Sequence, residues 1–173
     1  MRIGLDAHLL GKGVGGAERV VRAFVERVPP LMPDHEFVVF LNRDAEQPTP
    51  AHGNVTYARL IFSDPIVQRS VVLPWLARRH RLDLLHVQRI APPWSPCPVI
   101  VHIHDLLPLT DPVDHPGTRN AMIRRLTPAT IRRSARVLTV SATVAAEIAA
   151  LYPHARGKIR SIPNGISGGS FAP

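Results

Sequence analysis

The sequence predicts a three-layer α/β domain with a mostly parallel sheet. Three observations lead there. Short apolar runs of strand length alternate with longer stripes of helical spacing along the chain. The run Phe37-Val38-Val39-Phe40-Leu41 is continuous in apolar residues rather than alternating, as in strands buried on both faces. The chain has 173 residues, 45% of them hydrophobic and 20% charged, which is enough to bury a core without disulfides or metals.

Ile3 to Asp6 reads as the first strand. Glu18 to Val28 places Val20, Val21, Phe24, Val25 and Val28 on one helical face, and Pro29-Pro30 is expected to stop that helix. Residues 37–41 form the second strand and Val55 to Leu60 a weaker third. Ile66 to Arg79 is helical, with a disturbance expected at Pro74. Leu82 to Val87 is the fourth strand. Ala91 to Pro98 holds four prolines in eight positions and must be a loop. Val99 to His104 is the fifth strand. Thr118 to Ala135 is helical, and Thr127-Pro128 is expected to break or restart it, with Thr127 as N-cap. Arg136 to Val140 is the sixth strand, Ser141 caps a following helix, and Lys158 to Ile162 is a last short strand. One domain is expected over residues 1–163. The turn-rich stretch 164–173 reads as a linker.

Composition excludes several classes. A lone Cys97 rules out a disulfide framework and suits a reducing compartment. No apolar run approaches the roughly 20 residues of a membrane span. Met1-Arg2-Ile3-Gly4-Leu5-Asp6 is too soon charged for a secretory signal, so a cytoplasmic location is expected. The formal charge is +8, yet only Lys12 and Lys158 are lysine. Such an arginine bias follows a GC-rich coding sequence as readily as a polyanionic partner. Aromatic residues make up 5%, too few to favour nucleic acid as a partner.

In parallel sheets, ligands bind outside the carboxyl ends of the strands, and three such ends stand out. Gly11-Lys12-Gly13-Val14-Gly15-Gly16 follows the first strand and formally matches G-x-G-x-x-G. Four residues separate it from the strand end, and the second strand closes on Asn42-Arg43 rather than on a ribose-binding acid. A nicotinamide or flavin site is therefore not expected. Gly15 and Gly16 still let the backbone approach a ligand at a helix entrance. His102-Ile103-His104-Asp105 ends the fifth strand, and its two histidines share a face. No companion ligands complete a metal set, so no metal is expected. His102 reads as a hydrogen-bonded core histidine, and His86 as core or rim. His104 and Asp105 lie where catalytic residues sit in this architecture. Ser141 is an N-cap, with an anion or hydroxyl contact as the alternative.

These pieces, in this order, resemble the N-terminal domain of family-4 glycosyltransferases, retaining enzymes of the GT-B architecture. The likeness rests on Met1–Asp6 with Gly15-Gly16-Ala17-Glu18-Arg19, on Val101 to Leu109, on Arg133 to Ser141, and on Ile162 to Ile166 with Phe171-Ala172-Pro173. The resemblance implies a Rossmann-like acceptor-side domain over 1–163 and a hinge over 164–173 toward a C-terminal donor-binding domain. That domain would be the missing partner. It further implies a nucleotide-diphosphate sugar as donor substrate, no cofactor, metal independence, and front-face displacement.

On that resemblance, His104 and Asp105 are the candidate catalytic residues, and Gly15 and Gly16 approach the donor phosphate. Lys12, Arg89 and Ser141 are candidates for the acceptor rim. The acceptor would be a small molecule or lipid-linked. The apolar and basic stretch Ile66 to Leu82 would suit peripheral contact with the inner membrane face, against the plainer reading of a core helix with a solvated basic end. Two other classes stay open: a non-catalytic nucleotide- or anion-binding module, and a basic membrane-surface domain.

Overall fold

A computed structural model describes residues 1–48, 52–60, 64–111, 113 and 117–165. Among them, seven strands form one parallel sheet in the order β3-β2-β1-β4-β5-β6-β7. They are β1 (Arg2–Asp6), β2 (Glu36–Asn42), β3 (Val55–Leu60), β4 (Leu84–Gln88), β5 (Val99–Ile103), β6 (Arg136–Thr139) and β7 (Ile159–Ser161). The order reverses direction between β1 and β4. That is the switch point at which open α/β sheets part their loops and leave a crevice.

The run Phe37–Leu41 shows why the sheet is sandwiched. Phe37, Val39 and Leu41 join a core with Ile3, Leu5, Val21 and Val25, under helix α1 (Gly16–Leu31). Val38 and Phe40 point the other way, into a larger core with Leu76, Leu85, Val101, Ile131 and Ile148. Period-2 alternation thus feeds two hydrophobic layers from one strand. Gly4 permits the close approach within β1. A Cβ there would lie 2.3 Å from Leu82 Cδ1 and 3.0 Å from Phe40 Cε2.

Two of the three proline expectations need correction, and the third, a disturbance at Pro74, takes the form of a π segment just before it. Helix α1 does not stop at Pro29-Pro30 but runs through both to Leu31. Pro30 has no N–H for the Glu26 carbonyl four residues back, and His52 Nε2 donates to that carbonyl instead at 2.9 Å. The stretch Ile66–Arg79 consists of α2 (Pro65–Val67), a π-helical segment (Gln68–Val72) and α3 (Leu73–Arg79). Within it the Leu73 N–H reaches back to Gln68 O, a π-type bond that accommodates Pro74. Helix α5 (Thr118–Arg133) is unbroken at Thr127-Pro128. Thr127 is no N-cap: it is buried, and its Oγ1 donates to Ile123 O at 2.7 Å. Strand β4 begins at Leu84, because Leu82 still closes the preceding turn by donating its N–H to Ala77 O. Two short elements complete the described chain, α4 (Leu107–Thr110) and the 3₁₀ turn Pro153–Lys158, together with α6 (Ala142–Leu151). Of the expected hinge 164–173, residues 166–173 lie outside the described residues. No helix among the described residues is long and apolar enough to cross a membrane.

Candidate functional site

The carboxyl ends of β1, β2, β4 and β5, with α1, α5 and the π segment, surround a cleft of about 690 Å³. Its lining includes His8, Lys12, Asn42, Gln68, Arg69, Gln88, Arg89, His104, Asp105 and Arg119. Lys12, Arg89, His104 and Asp105 are therefore brought together. Val14 and Ala17 line the same cleft, flanking Gly15 and Gly16. Ser141 is not among the lining residues. Its Oγ accepts from Val144 N at 3.2 Å as the N-cap of α6.

The β4–β5 side is paired side chain to side chain. Arg89 donates to both oxygens of Asp105, Nη1 to Oδ1 at 3.2 Å and Nη2 to Oδ2 at 2.5 Å. Arg89 takes a left-handed backbone, φ 62°, where its N–H donates to His102 O and Ile90 N donates to Gln88 O. Burial pushes the Asp105 carboxyl up, but the bidentate Arg89 guanidinium outweighs it and holds the group below the usual carboxylate range. His104 Nε2 lies 2.9 Å from Gln88 Oε1. An amide oxygen only accepts, so Nε2 carries the proton and Nδ1 is left as the acceptor. Burial first, then the Arg89 charge, depress the His104 imidazolium, so the ring is neutral.

Behind His104 stands a histidine column. His104 stacks on His102 at 4.6 Å between ring centroids, and His102 faces His86 at 5.8 Å. Phe24 of α1 packs on His86 at 4.7 Å. His102 is buried as expected, but the expected hydrogen bond is absent: neither of its ring nitrogens has a partner among the described residues, and His86 Nε2 has none either. Burial holds both rings neutral, His102 down to about 3 and His86 to about 4.

The β1 side is built on the backbone. Asp6, buried at the strand end, accepts from His8 Nδ1 at 2.9 Å and from His8 N at 3.2 Å. Asn42 Nδ2 donates to His8 O and ties β2 to this turn. Gly11, Gly13 and Gly15 all have positive φ, and Gly15, at φ 66° and ψ −128°, is the N-cap of α1. The loop curls around its own helix: the Glu18 carboxylate accepts from Gly11 N at 2.8 Å and Val14 N at 3.2 Å. The Gly11 N–H is the main reason the Glu18 carboxyl is held below its ordinary range.

A glycine loop after β1 and a His-Asp pair after β5 thus share one rim of a seven-stranded parallel sheet. The profile described as "Glycosyltransferase Family 4" matches residues 14–167. The chain belongs to glycosyltransferase family 4. No curated protein matches it. Among solved structures it is similar to a glycosyltransferase from Rickettsia africae ESF-5, with a TM-score of 0.59 and 13% sequence identity. The likeness covers 96% of this chain and 43% of that one, so the family-4 chain spans less than half the length of its structural relative. The expected Rossmann-like α/β fold is borne out.

Sequence reasoning missed His8, Arg69, Gln88 and Arg119 as lining residues of this family-4 cleft, and Asp6 and Glu18 as the carboxylates that hold the loop beside it. Glu18 was legible in principle, since an acid in the first turn after a glycine loop suits the helix's positive end. Gln88 and Arg69 carried no such sign, because only strand pairing and the π segment bring them to the rim. Among the described residues, no group of three or more His, Cys, Asp or Glu side chains is placed to hold a metal.

Proposed function

We propose that this domain is the acceptor-binding half of a two-domain GT-B enzyme. The enzyme would transfer a sugar from a nucleoside diphosphate sugar to an acceptor hydroxyl with retention of configuration. The donor-binding half would follow the hinge at 164–173. The observation that carries the reading is the fixed neutral His104, tied to Gln88 at the rim of a cleft that Val14 and Ala17, on either side of Gly15-Gly16, also line.

In this reading the bond from the sugar's anomeric carbon to the diphosphate breaks as the bond to the acceptor oxygen forms on the same face. The acceptor's proton passes to the departing diphosphate. The domain's own share is positioning and charge stabilisation. His104 Nδ1 accepts from a hydroxyl of the transferred sugar. Asp105 fixes Arg89 at the rim, and the α1 N-terminus at Gly15-Gly16 faces developing negative charge on the diphosphate. The chemistry draws on no metal and no cofactor beyond the donor. Ile66, Val71 and Trp75 are exposed beside Arg78 and Arg79, with Arg79 5.4 Å over the Trp75 ring. This face supports peripheral contact with the inner leaflet of the cytoplasmic membrane.

The test uses the full-length protein with a panel of nucleoside diphosphate sugars. Release of nucleoside diphosphate and a product of retained anomeric configuration by proton NMR are expected. His104→Ala should lower turnover by about a hundredfold or more with an unchanged circular dichroism spectrum. An inverted product would overturn front-face transfer, and unchanged turnover would remove His104 from the site.

A further inference from the structure

The two faces of β4 and β5 are filled differently. Leu85, Val87, Val101 and Ile103 join the larger apolar core. Alternation turns His86, Gln88 and His102 to the opposite face, the side of α1, and the stack on His102 keeps His104 there too. On that side the aliphatic packing of Ile3, Leu5, Val21 and Val25 gives way to imidazoles.

Imidazole is an unfavourable filling for such a place. His86 is 4% exposed and His102 2%. Three ring nitrogens, His86 Nε2 and both of His102, have no partner among the described residues. Unpaired buried nitrogens destabilise a fold, and an aliphatic side chain of similar volume would not. Departures of this kind concentrate at functional sites.

His104 needs two constraints to hold one orientation. The bond from its Nε2–H to Gln88 Oε1, at 2.9 Å, selects the tautomer and anchors one ring atom. It leaves the ring free to turn about the N–H···O line, and the second side-chain torsion of histidine is broad. The Nδ1 lone pair lies in the ring plane, so its direction is set only when the plane is set. His102 supplies that: its ring lies 4.6 Å from the His104 ring, 18° from parallel, in the range of offset stacking. The Cα atoms of Gln88 and His102 are register partners, so both constraints on His104 come from one rung of the sheet. Behind them His86 packs on Phe24 at 4.7 Å, and the column ends on α1, the helix that Gly15-Gly16 opens.

We propose that His102 is a positioning residue for sugar transfer: its buried ring holds the plane of His104, so that His104 Nδ1 points at the sugar hydroxyl from which it accepts. This rests on the reading of His104 as the sugar-facing residue. His102 itself does not line the cleft and acts only through its neighbour. A leucine fills its space without offering a flat face. A phenyl ring offers the face without the nitrogens.

The test compares full-length wild type, His102→Leu, His102→Phe and Ile148→Val, the last a core change in the other layer. Turnover is measured on the fastest-used nucleoside diphosphate sugar of the panel above. The His104 tautomer is read from long-range nitrogen–proton NMR spectra of histidine-labelled protein without ligand. We expect His102→Leu to lower kcat about tenfold with KM for the donor within twofold. Its urea midpoint at pH 7 should not fall, and its His104 should become a mixture of tautomers. A residue that matters only for packing would lose stability and activity together. His102→Phe should restore a single tautomer and most of kcat. Ile148→Val should lower stability and leave kcat unchanged. Wild-type kcat and a single tautomer in His102→Leu would overturn the proposal. So would a folded His102→Phe as slow as the leucine variant, or a loss of kcat that Ile148→Val matches at equal destabilisation. If the wild type turns over no sugar while His102→Leu still frees the His104 ring, the transfer reading fails and the positioning of His104 stands.

Discussion

The two sides of the cleft are held by different physics. On the β4–β5 side, side chains hold side chains: Arg89 grips Asp105, Gln88 holds His104, and His104 rests on a buried column of His102, His86 and Phe24. On the β1 side, a glycine loop is held mainly by its own N–H groups on the Glu18 carboxylate, with Lys12 and Arg43 lining the cleft beside it. The first side is preorganised, as a wall must be if it fixes a reacting sugar. The second has few buried contacts to lose and can adapt to what enters. Perturbations should therefore register as global stability on the first side and as local mobility on the second.

The histidine column should show the largest effect. The unfolded chain takes up protons at histidine near pH 6.5, whereas His86 and His102 in the fold resist until about 4 and about 3. Below pH 6.5 the unfolded state thus binds more protons, and stability falls with pH until the folded values are reached. Between pH 6.5 and 5 each such histidine removes up to about 2 kcal/mol. His102→Leu, which buries no ring nitrogen, should flatten that stage of the decline in urea titrations followed at pH 7 and pH 5. The same acid loss in variant and wild type would show that the column is not what makes this side pH-sensitive.

Next comes the Arg89–Asp105 pair. Asp105→Ala leaves a guanidinium without its partner on a left-handed residue. The Asp105 side chain is 38% exposed, so solvent moderates the cost to about 1–2 kcal/mol. The folded carboxyl is depressed, so its contribution is complete above the unfolded carboxylate value near 4 and fades as pH falls through the lower folded one. A variant as stable as the wild type at pH 7 would show that the pair adds nothing to the wall.

What was legible in the sequence divides along the same line. Strand positions followed from burial on both faces, which writes itself as continuous apolar runs such as Phe37–Leu41. His104 and Asp105 were legible because they leave a strand at the rim. Helix continuity across Pro29 and Pro128 was not legible, nor was the form that the disturbance before Pro74 takes. These depend on partners distant in sequence, as His52 is from Glu26, or on a π turn that no spacing announces. The lack of a partner for His102 was hidden for the same reason: burial can be read from pattern, but hydrogen-bond satisfaction needs the neighbours' positions.

On the loop side, Gly15→Ala separates backbone strain from crowding. A Cβ at Gly15 meets nothing within 4 Å, but φ is 66°. The cost is then conformational, about 1 kcal/mol. Gly16→Ala, where space is open and φ is not positive, should cost little. Equal effects of the two substitutions on urea midpoints would mean that the N-cap conformation is not what holds this loop.

The smallest effect on stability, and the most local, belongs to Glu18. Glu18→Ala removes the acceptor shared by Gly11 N and Val14 N. Because the loop contributes little buried surface, the melting temperature should hardly move, while hydrogen exchange at those two amides rises severalfold. In the wild type the Glu18 carboxyl is depressed chiefly by the Gly11 N–H. Protection of the two amides should thus be complete above the ordinary glutamate value near 4.3, and be lost as pH falls through the lower folded value. If Glu18→Ala instead lowers global stability as much as Asp105→Ala, the loop is part of the preorganised wall. The contrast between a rigid β4–β5 side and an adaptable loop side then fails.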